Sequence, residues 1–197
     1  MKRATQSSRS LRRIVLAACA GIITGAAGWP AWNAWAQNDA GTLENRVKAA
    51  FLYKFAGYVD WPAASFARPD TPVTIAVVGA EPLASELVQA VTGRTVNDRQ
   101  IVVKRFKPGE PLTGVHVLFV GRPESPRVGQ LAQAAHGRSV LIVTEAEGAL
   151  AQGSVINFTM ADRRVRFEVS LESAEKTGLK LSSRLLAVAE KVVTGAP

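Results

Sequence analysis

The side chains that could do acid–base or metal chemistry are few and scattered in this sequence. The histidines are His116, inside an apolar stretch, and His136, just before Gly137. Neither has a partner at the spacing of a metal site. We interpret His116 as a hydrogen-bonded core residue and His136 as a cation at a helix end, where the helix dipole favours it. The sequence therefore predicts no metal site.

Motifs for nucleophilic catalysis and phosphate binding are also missing. The chain has no G-x-G-x-x-G, no phosphate loop and no G-x-S-x-G. The stretch "SAEKTG" contains both S-x-x-K and K-T-G, but Lys176 would have to serve both, so we interpret the match as chance. Glu145 and Glu147 flank a turn and do not resemble an acid–base pair. We predict a protein that is not an enzyme and uses no cofactor.

One short stretch alternates charged with apolar side chains. Arg164, Arg166 and Glu168 occupy every second position, as on the polar face of a strand. Such a face could contact a small anionic or zwitterionic ligand, or carry only surface salt bridges. Nucleic-acid binding is disfavoured, because the basic clusters "KRFK" and "RRVR" have acidic residues close by. Our candidates for a polar ligand site are Arg99, Arg166, Glu168 and Arg184.

A second stretch, "KAAFLYKFAGYVDWP", concentrates aromatic side chains within residues 51–61. It could be core, a membrane-surface segment or a docking surface for another protein. The membrane-surface interpretation is the weakest of the three, because a helix in the membrane interface needs a charged face, which this stretch lacks. Our candidates for a partner-binding surface are Phe51, Tyr53, Phe55, Tyr58 and Trp61.

The elements that must position these residues follow from the apolar pattern. A helix is predicted from Leu43 to Val59, ended by Pro62, with apolar residues on two faces. Three near-continuous apolar strands then alternate with helices, which predicts a largely parallel sheet covered on both faces. The near-continuous apolar strands are "VTIAVVG", "VHVLFVG" and "SVLIVTE", and "RQIVVKRF" is a further strand. The predicted helices are "EPLASELVQAV" and "SPRVGQLAQAA".

The C-terminal third predicts a different arrangement. "SVINFTM" and "RVRFEVSL", joined by "ADR", indicate an antiparallel hairpin. A short helix "ESAEKTG" and a longer one, "KLSSRLLAVAEKVV", should follow, the latter with a stripe of Leu181, Leu185, Val188 and Val192. The expected fold is a single α/β domain with a mixed, mostly parallel sheet of about five to six strands, helices on both faces and a C-terminal antiparallel hairpin. Apolar faces on both terminal helices make a homodimer plausible.

The first 36 residues predict export from the cytoplasm. The net charge of +8 comes largely from this segment, which holds five basic and no acidic residues. The remainder has 19 basic and 16 acidic residues, a net of +3. A basic stretch to Arg13, an apolar run to Gly28 and small residues at Ala34 and Ala36 fit a secretory signal cleaved before Gln37. We expect a signal peptide at 1–36, a short tail at 37–42 and one domain at 43–197.

Alternatives at the N-terminus remain open. Cys19, the single cysteine, lies in "LAAC", which resembles a lipoprotein processing site, but the apolar run before it is short. The weak hydrophobicity of the apolar run to Gly28 disfavours an uncleaved membrane anchor. The Arg12–Arg13 pair is compatible with both the general secretory route and the twin-arginine route. Cleavage after Ala36 would leave a periplasmic protein with no cysteine, and so with no disulfide.

Several segments together resemble the YfiR family of periplasmic proteins. They are "VKAAFLYKFAGYVDWP", "TVNDRQIVVKRF", "VHVLFVG", "SVLIVTEAEG", "INF" and "VRFEVSLESAEKTGLKLSSRLLAVA". The resemblance covers about residues 44–193, and the aromatic helix with "GLKLSSRLLAVA" is its most specific part.

The resemblance implies a small α/β repressor of the Gram-negative periplasm. Such a protein binds the periplasmic sensor region of an inner-membrane diguanylate cyclase and lowers cyclic di-GMP and biofilm formation. Relatives can carry cysteine pairs that give redox control, and a cysteine is common at the position of Val115. Because this chain has no cysteine after Cys19, redox control is not expected for it. The alternative is a periplasmic small-molecule-binding component of a sensor or uptake system.

Overall fold

The computed structural model describes the backbone of residues 32–195 and the side chains of residues 41–195. Residues 1–31 of the expected signal segment, which include Cys19, lie outside the described residues. Within the described part of the chain, no helix combines the length and apolarity that crossing a membrane requires.

The chain alternates strands with helices over most of its length. The helices are α1 (Trp32–Gly57), α2 (Glu81–Val91), α3 (Val128–Ala135), α4 (Leu171–Lys176) and α5 (Ser183–Ala187), with 3₁₀ turns at Ala63–Ser65 and Arg122–Arg127. The strands are β1 (Val59–Asp60), β2 (Val73–Val78), β3 (Thr95–Val96), β4 (Arg99–Arg105), β5 (Val117–Val120), β6 (Leu141–Thr144), β7 (Ile156–Ala161), β8 (Arg164–Ser170), β9 (Lys180–Leu181) and β10 (Lys191–Val193).

Eight of these strands form one sheet in the order β10-β8-β7-β6-β5-β2-β4-β3. All neighbouring pairs are parallel except β3–β4 and the β7–β8 hairpin. The remaining strands, β1 and β9, pair with each other in antiparallel fashion. The predicted α/β fold with a mostly parallel sheet and a C-terminal hairpin is confirmed. The main sheet has eight strands, not five or six.

Helices cover the two faces of the central strands, which explains why those strands are apolar throughout. Alternate residues of β5 show this: Val117 and Phe119 belong to a core shared with α1 and α2, whereas Leu118 and Val120 pack with α3. A strand that is buried on both faces does not alternate polar and apolar residues. Burial on both faces is therefore the reason for the continuous apolar runs that predicted a covered parallel sheet.

Two glycines allow β2 and β5 to end side by side. The backbone of Gly79 has a φ of 69°, which glycine adopts without strain. A Cβ at Gly121 would collide with the carbonyl oxygen of Gly79, so this close approach requires glycine.

The long helix α1 is joined to the sheet by a buried ion cluster. Lys48 is 3% exposed, and its ammonium contacts the carboxylates of Glu44, one turn earlier, and Glu145, directly after β6. A buried ammonium needs such partners because leaving water is costly. The helix extends beyond the predicted Leu43–Val59 at its start and ends at Gly57.

The prediction of one long C-terminal helix over "KLSSRLLAVAEKVV" was wrong. Only Ser183–Ala187 is helical, and Lys191–Val193 forms β10, parallel to β8. The pairing gives the outer main-chain groups of β8 partners that a helix could not supply. Val188 and Val192, expected in a buried stripe, are 62% and 37% exposed.

Candidate functional site

The aromatic residues of α1 divide into core and surface groups. Phe55 is 1% exposed and Phe51 is half-buried. The Phe55 ring lies 4.9 Å from the ring of Phe167 and 5.7 Å from that of Phe158, and Phe51 packs against the same pair. These phenylalanines join α1 to the β7–β8 hairpin, so the structure places Phe55 in the core and away from any partner-accessible surface.

Tyr53 lies against the β3–β4 hairpin and is half-buried. Its hydroxyl donates to the carbonyl of Thr95 at 3.4 Å, and the guanidinium of Arg94 lies 5.3 Å above its ring. Such a cation–π contact holds the arginine over the ring while leaving its donors available. Tyr53 thereby presents a polar and aromatic edge beside an exposed cation.

Tyr58 and Trp61 follow the end of α1, where the chain meets β9. The carbonyl of Tyr58 accepts a hydrogen bond from the N–H of Ser182 at 2.9 Å. The indole N–H of Trp61 donates to the carbonyl of Ala56 at 2.9 Å, which holds the ring near the helix end. Both side chains remain half-buried. A cavity of about 410 Å³ adjoins Trp61. It is lined by Val59, Asp60, Trp61, Ala63, Phe66, Val73, Val96, Asn97 and Arg99.

A column of stacked side chains runs from the wall of this cavity to the buried ring of His116. The Arg99 guanidinium lies 3.9 Å above the ring of Phe66, and the His116 ring stacks on Phe66 at 4.6 Å. Trp61 meets His116 edge-on at 5.7 Å. Arg99 also donates to the carbonyls of Arg68, Pro69 and Thr71, so its charge secures the loop before β2.

His116 is the buried centre of that column. Its Nδ1 accepts from the N–H of Thr74, so Nε2 carries the proton and donates to the Ser65 carbonyl, each at 3.1 Å. Burial lowers the pKa of His116; the bond to Ser65 opposes this shift and the Arg99 charge adds to it. The prediction of a hydrogen-bonded core histidine is confirmed.

Glu168 belongs to a different part of the surface, and a buried polar network fixes its position. Asn157, which is 2% exposed, accepts from the Thr144 hydroxyl at 2.7 Å and from the Ala146 N–H at 3.1 Å. Its amide oxygen is thereby occupied, and its NH₂ group donates to Glu168 at 3.1 Å. Glu168 lines a cleft of about 740 Å³ together with Lys176 and Lys191.

The four residues predicted for a polar ligand site do not form one site. Arg166 and Glu168 share the polar face of β8, whereas Arg99 lies on β4, five strand positions or about 24 Å across the sheet. Arg184 is exposed on α5, two residues after the Ser182 that bonds to Tyr58. The structure does bring Arg99 together with Trp61, one residue from each predicted set.

Other site residues were missed by the sequence analysis. Phe66 lies in a loop with no periodic pattern, and Asn157 lies in a predicted strand without a feature that sets it apart from other strand residues. Lys48, the lysine of the buried cluster, begins the aromatic stretch, but its burial depends on Glu145, 97 positions away. No local signal could have paired them. Among the described residues, no group of acidic, histidine or cysteine side chains could hold a metal ion.

The described residues form a single α/β domain with half-buried aromatic side chains, Tyr53, Tyr58 and Trp61, towards the end of α1 and just after it. A family model described as YfiR/HmsC-like matches residues 45–190. The match spans nearly all of the domain, and the chain belongs to this family. Membership supports the role of a periplasmic regulator.

Proposed function

We propose that this protein is a periplasmic, non-enzymatic repressor of an inner-membrane diguanylate cyclase. It binds the periplasmic sensor region of the cyclase, which lowers cyclic di-GMP and biofilm formation. The observation that carries the proposal, beside family membership, is the surface of Tyr53, Tyr58 and Trp61 at the end of α1. Half-buried aromatic residues supply large apolar area at low entropic cost, as interface anchors do.

Repression requires that the protein bind the inactive receptor more tightly than the active one. A ligand with equal affinity for both states shifts no equilibrium, and moving a receptor from 1:99 to 99:1 needs about a 10⁴-fold difference in affinity. Sequestering the repressor or closing its surface would release the receptor. Export by a signal peptide cleaved after Ala36 would place the protein in the periplasm, where it meets the sensor region.

The proposal is tested by deleting the gene in a strain that still makes the cognate cyclase. Cyclic di-GMP and surface attachment should rise, and the intact gene should restore both. The Tyr53→Ala, Tyr58→Ala double variant should fail to restore them although it still folds and unfolds in one cooperative transition. Met160→Ala, an exposed apolar control on β7, should restore them fully. Unchanged cyclic di-GMP in the deletion strain would refute the proposal.

A second candidate function is small-molecule binding for a sensor or uptake system. The cleft at Glu168 favours it, because one carboxylate is held by buried Asn157 while the Lys191 ammonium has no ion-pair partner among the described residues. Ligand binding would raise the thermal stability of the isolated protein with ligand concentration. A Glu168→Gln variant that kept the same ligand-induced shift would exclude this cleft.

A further inference from the structure

Strand β4 is longer than the strand that covers its outer edge. The neighbouring β3 pairs only with Arg99 and Gln100, across a two-residue turn at Asn97–Asp98. Residues 101–105 pair with β2 on the other side and have no strand partner on the outside among the described residues. This segment ends the eight-stranded sheet.

The direction of the main-chain groups follows from the ladder. The N–H of Phe106 donates to the carbonyl of Val77 on β2, while Arg99 faces β3. Main-chain groups alternate in direction along a strand, so even-numbered residues of β4 bond to β2. The N–H and C=O groups of Ile101, Val103 and Arg105 therefore point outward. No proline or glycine interrupts β4.

An apolar groove accompanies the open edge. It has a volume of about 480 Å³ and runs between β4 and the end of α2. Val88 and Val102 on its two sides are 41% and 45% exposed. A strand laid along β4 would place its side chains alternately on the two faces of the sheet, one set beside Val88 and the other beside Val102.

The charge around this edge is mainly positive. Lys104 pairs with Glu110 at 2.9 Å and Arg105 pairs with Glu81, but Arg94 has no carboxylate partner among the described residues. Charged side chains lie above and below a strand, so these cations flank the outward main-chain groups and do not block them. The basic residues are Arg94, Arg99, Lys104, Arg105 and Lys107, against Glu81, Asp98 and Glu110.

We propose that the open edge of β4 binds an extended, acidic segment of a partner protein, which adds a strand to the sheet. This inference deepens the proposed function and rests on it for the identity of the partner. Main-chain hydrogen bonds supply affinity in such complexes, and alternate side chains supply specificity. Arg94 connects the edge to Tyr53, so the added strand and the aromatic surface form one continuous interface.

A second copy of this chain fits the edge less well. Antiparallel pairing of the open segments of two β4 strands about Val103 would set Lys104 of each copy opposite Val102 of the other, so the two Lys104 side chains would be diagonal neighbours on one face. Like charges at neighbouring cross-strand positions repel each other. An acidic strand instead meets opposite charge at these positions.

The experiment uses a synthetic eight-residue peptide that alternates valine with glutamate, and a matched peptide in which lysine replaces glutamate. Binding is followed by fluorescence anisotropy and by hydrogen exchange of the β4 amides. The acidic peptide should bind and slow exchange at Val103 and Arg105, whose N–H groups are open. Amides at 102 and 104 should change little because β2 already protects them. The lysine peptide should not bind.

Two variants separate the contribution of the main-chain hydrogen bonds at the β4 edge from the contribution of the positive charge beside it. Val103→Pro removes one outward N–H and spares the bonds to β2, so it should weaken binding about tenfold in a protein that still unfolds in one cooperative transition. Arg94→Glu should also weaken it, while Arg164→Glu on β8 should not. If Val103→Pro unfolds, the hydrogen-exchange pattern of the wild-type protein decides alone.

The outcomes distinguish this inference from the proposed function. Exchange unchanged at residues 103 and 105 overturns the edge site, as does full repression by a folded Val103→Pro protein in cells. A wild-type dimer that Val103→Pro dissociates would assign the edge to a second copy and also overturn the proposal. Cyclic di-GMP that does not respond to gene deletion refutes the repressor function, and it does not affect the peptide result.

Discussion

Lys48 carries a positive charge into a position that is 3% exposed, where Glu44 and Glu145 surround its ammonium. Lys48→Met keeps the volume of the side chain but leaves Glu145 without its partner. We expect a loss of about 2–3 kcal/mol in the free energy of unfolding, below the full cost of breaking a buried pair because both carboxylates retain some solvent. Urea unfolding at neutral pH measures it.

The matched control is Arg46→Met on the same helix. Arg46 pairs with Glu86 at 3.2 Å, but its side chain is 64% exposed. An exposed pair contributes less than about 1 kcal/mol. Equal losses from the two substitutions would show that the buried cluster does not hold α1 on the sheet.

His116 should make the protein sensitive to acid. Burial lowers the pKa of His116, so the folded state favours the neutral ring, and protonation would remove the bond that Nδ1 accepts from Thr74. The stability that the neutral His116 ring contributes is complete above its pKa in the unfolded chain, about 6.5. This stability is lost as the pH falls from there through the lower pKa of the folded state. No carboxylate is among the groups that act on it; Arg99 is the charged one.

Unfolding free energies of the wild-type protein and of His116→Gln, compared between about pH 7.5 and 4.5, test this expectation. The wild type should lose more stability on acidification, because glutamine does not titrate. Parallel pH profiles for the two proteins would be inconsistent with a buried neutral histidine.

At the scale of elements, β10 protects the outer edge of β8. Removing residues 191–197 should expose that edge and the groups that Lys191–Val193 bond. We expect a loss of about 2 kcal/mol, from roughly two net hydrogen bonds, together with self-association through the bare edge. Unfolding curves and sedimentation velocity measure the two effects. A stable, monomeric truncated protein would show that β8 needs no cover.

The elements that sequence could predict are those whose pattern is local. β2, β5 and β6 are apolar runs bounded by turns, and the β7–β8 hairpin has a clear alternation. The missed strands β1, β3, β9 and β10 have two or three residues each, too few to show a period. "RLLAVAEKVV" has a helical period, yet pairing with β8 overrides it after Ala187.

The site depends even more on non-local packing. Phe66 comes from a loop, Arg99 begins β4 and His116 directly precedes β5. Their stacking follows from the order of β4, β2 and β5 in the sheet. The aromatic stretch was recognisable as unusual. Its division into a buried face with Phe55 and an accessible face with Tyr53 required the position of the β7–β8 hairpin.

At the scale of the whole molecule, the two candidate surfaces lie at opposite ends of the sheet. Tyr53, Trp61 and the open edge of β4 belong to one end, and the Glu168 cleft with β10 belongs to the other. The helix α1 packs on β8 through Phe51, and Tyr53 on the same helix contacts the β3–β4 hairpin. Any coupling between a ligand in the cleft and a partner at the edge would have to pass through this helix or the sheet.

The stability of the domain has to come from its packing, because the sequence offers no disulfide. The single cysteine, Cys19, precedes the domain, and residues 37–197 contain none. A cross-link would otherwise stabilise the fold by constraining the unfolded chain. Here both clusters of buried apolar residues and the Lys48 cluster must do so alone. We therefore expect residues 37–197 to give the same urea midpoint with and without reductant. A midpoint lowered by dithiothreitol would contradict this expectation, and a variant carrying an engineered disulfide serves as the positive control for the reductant.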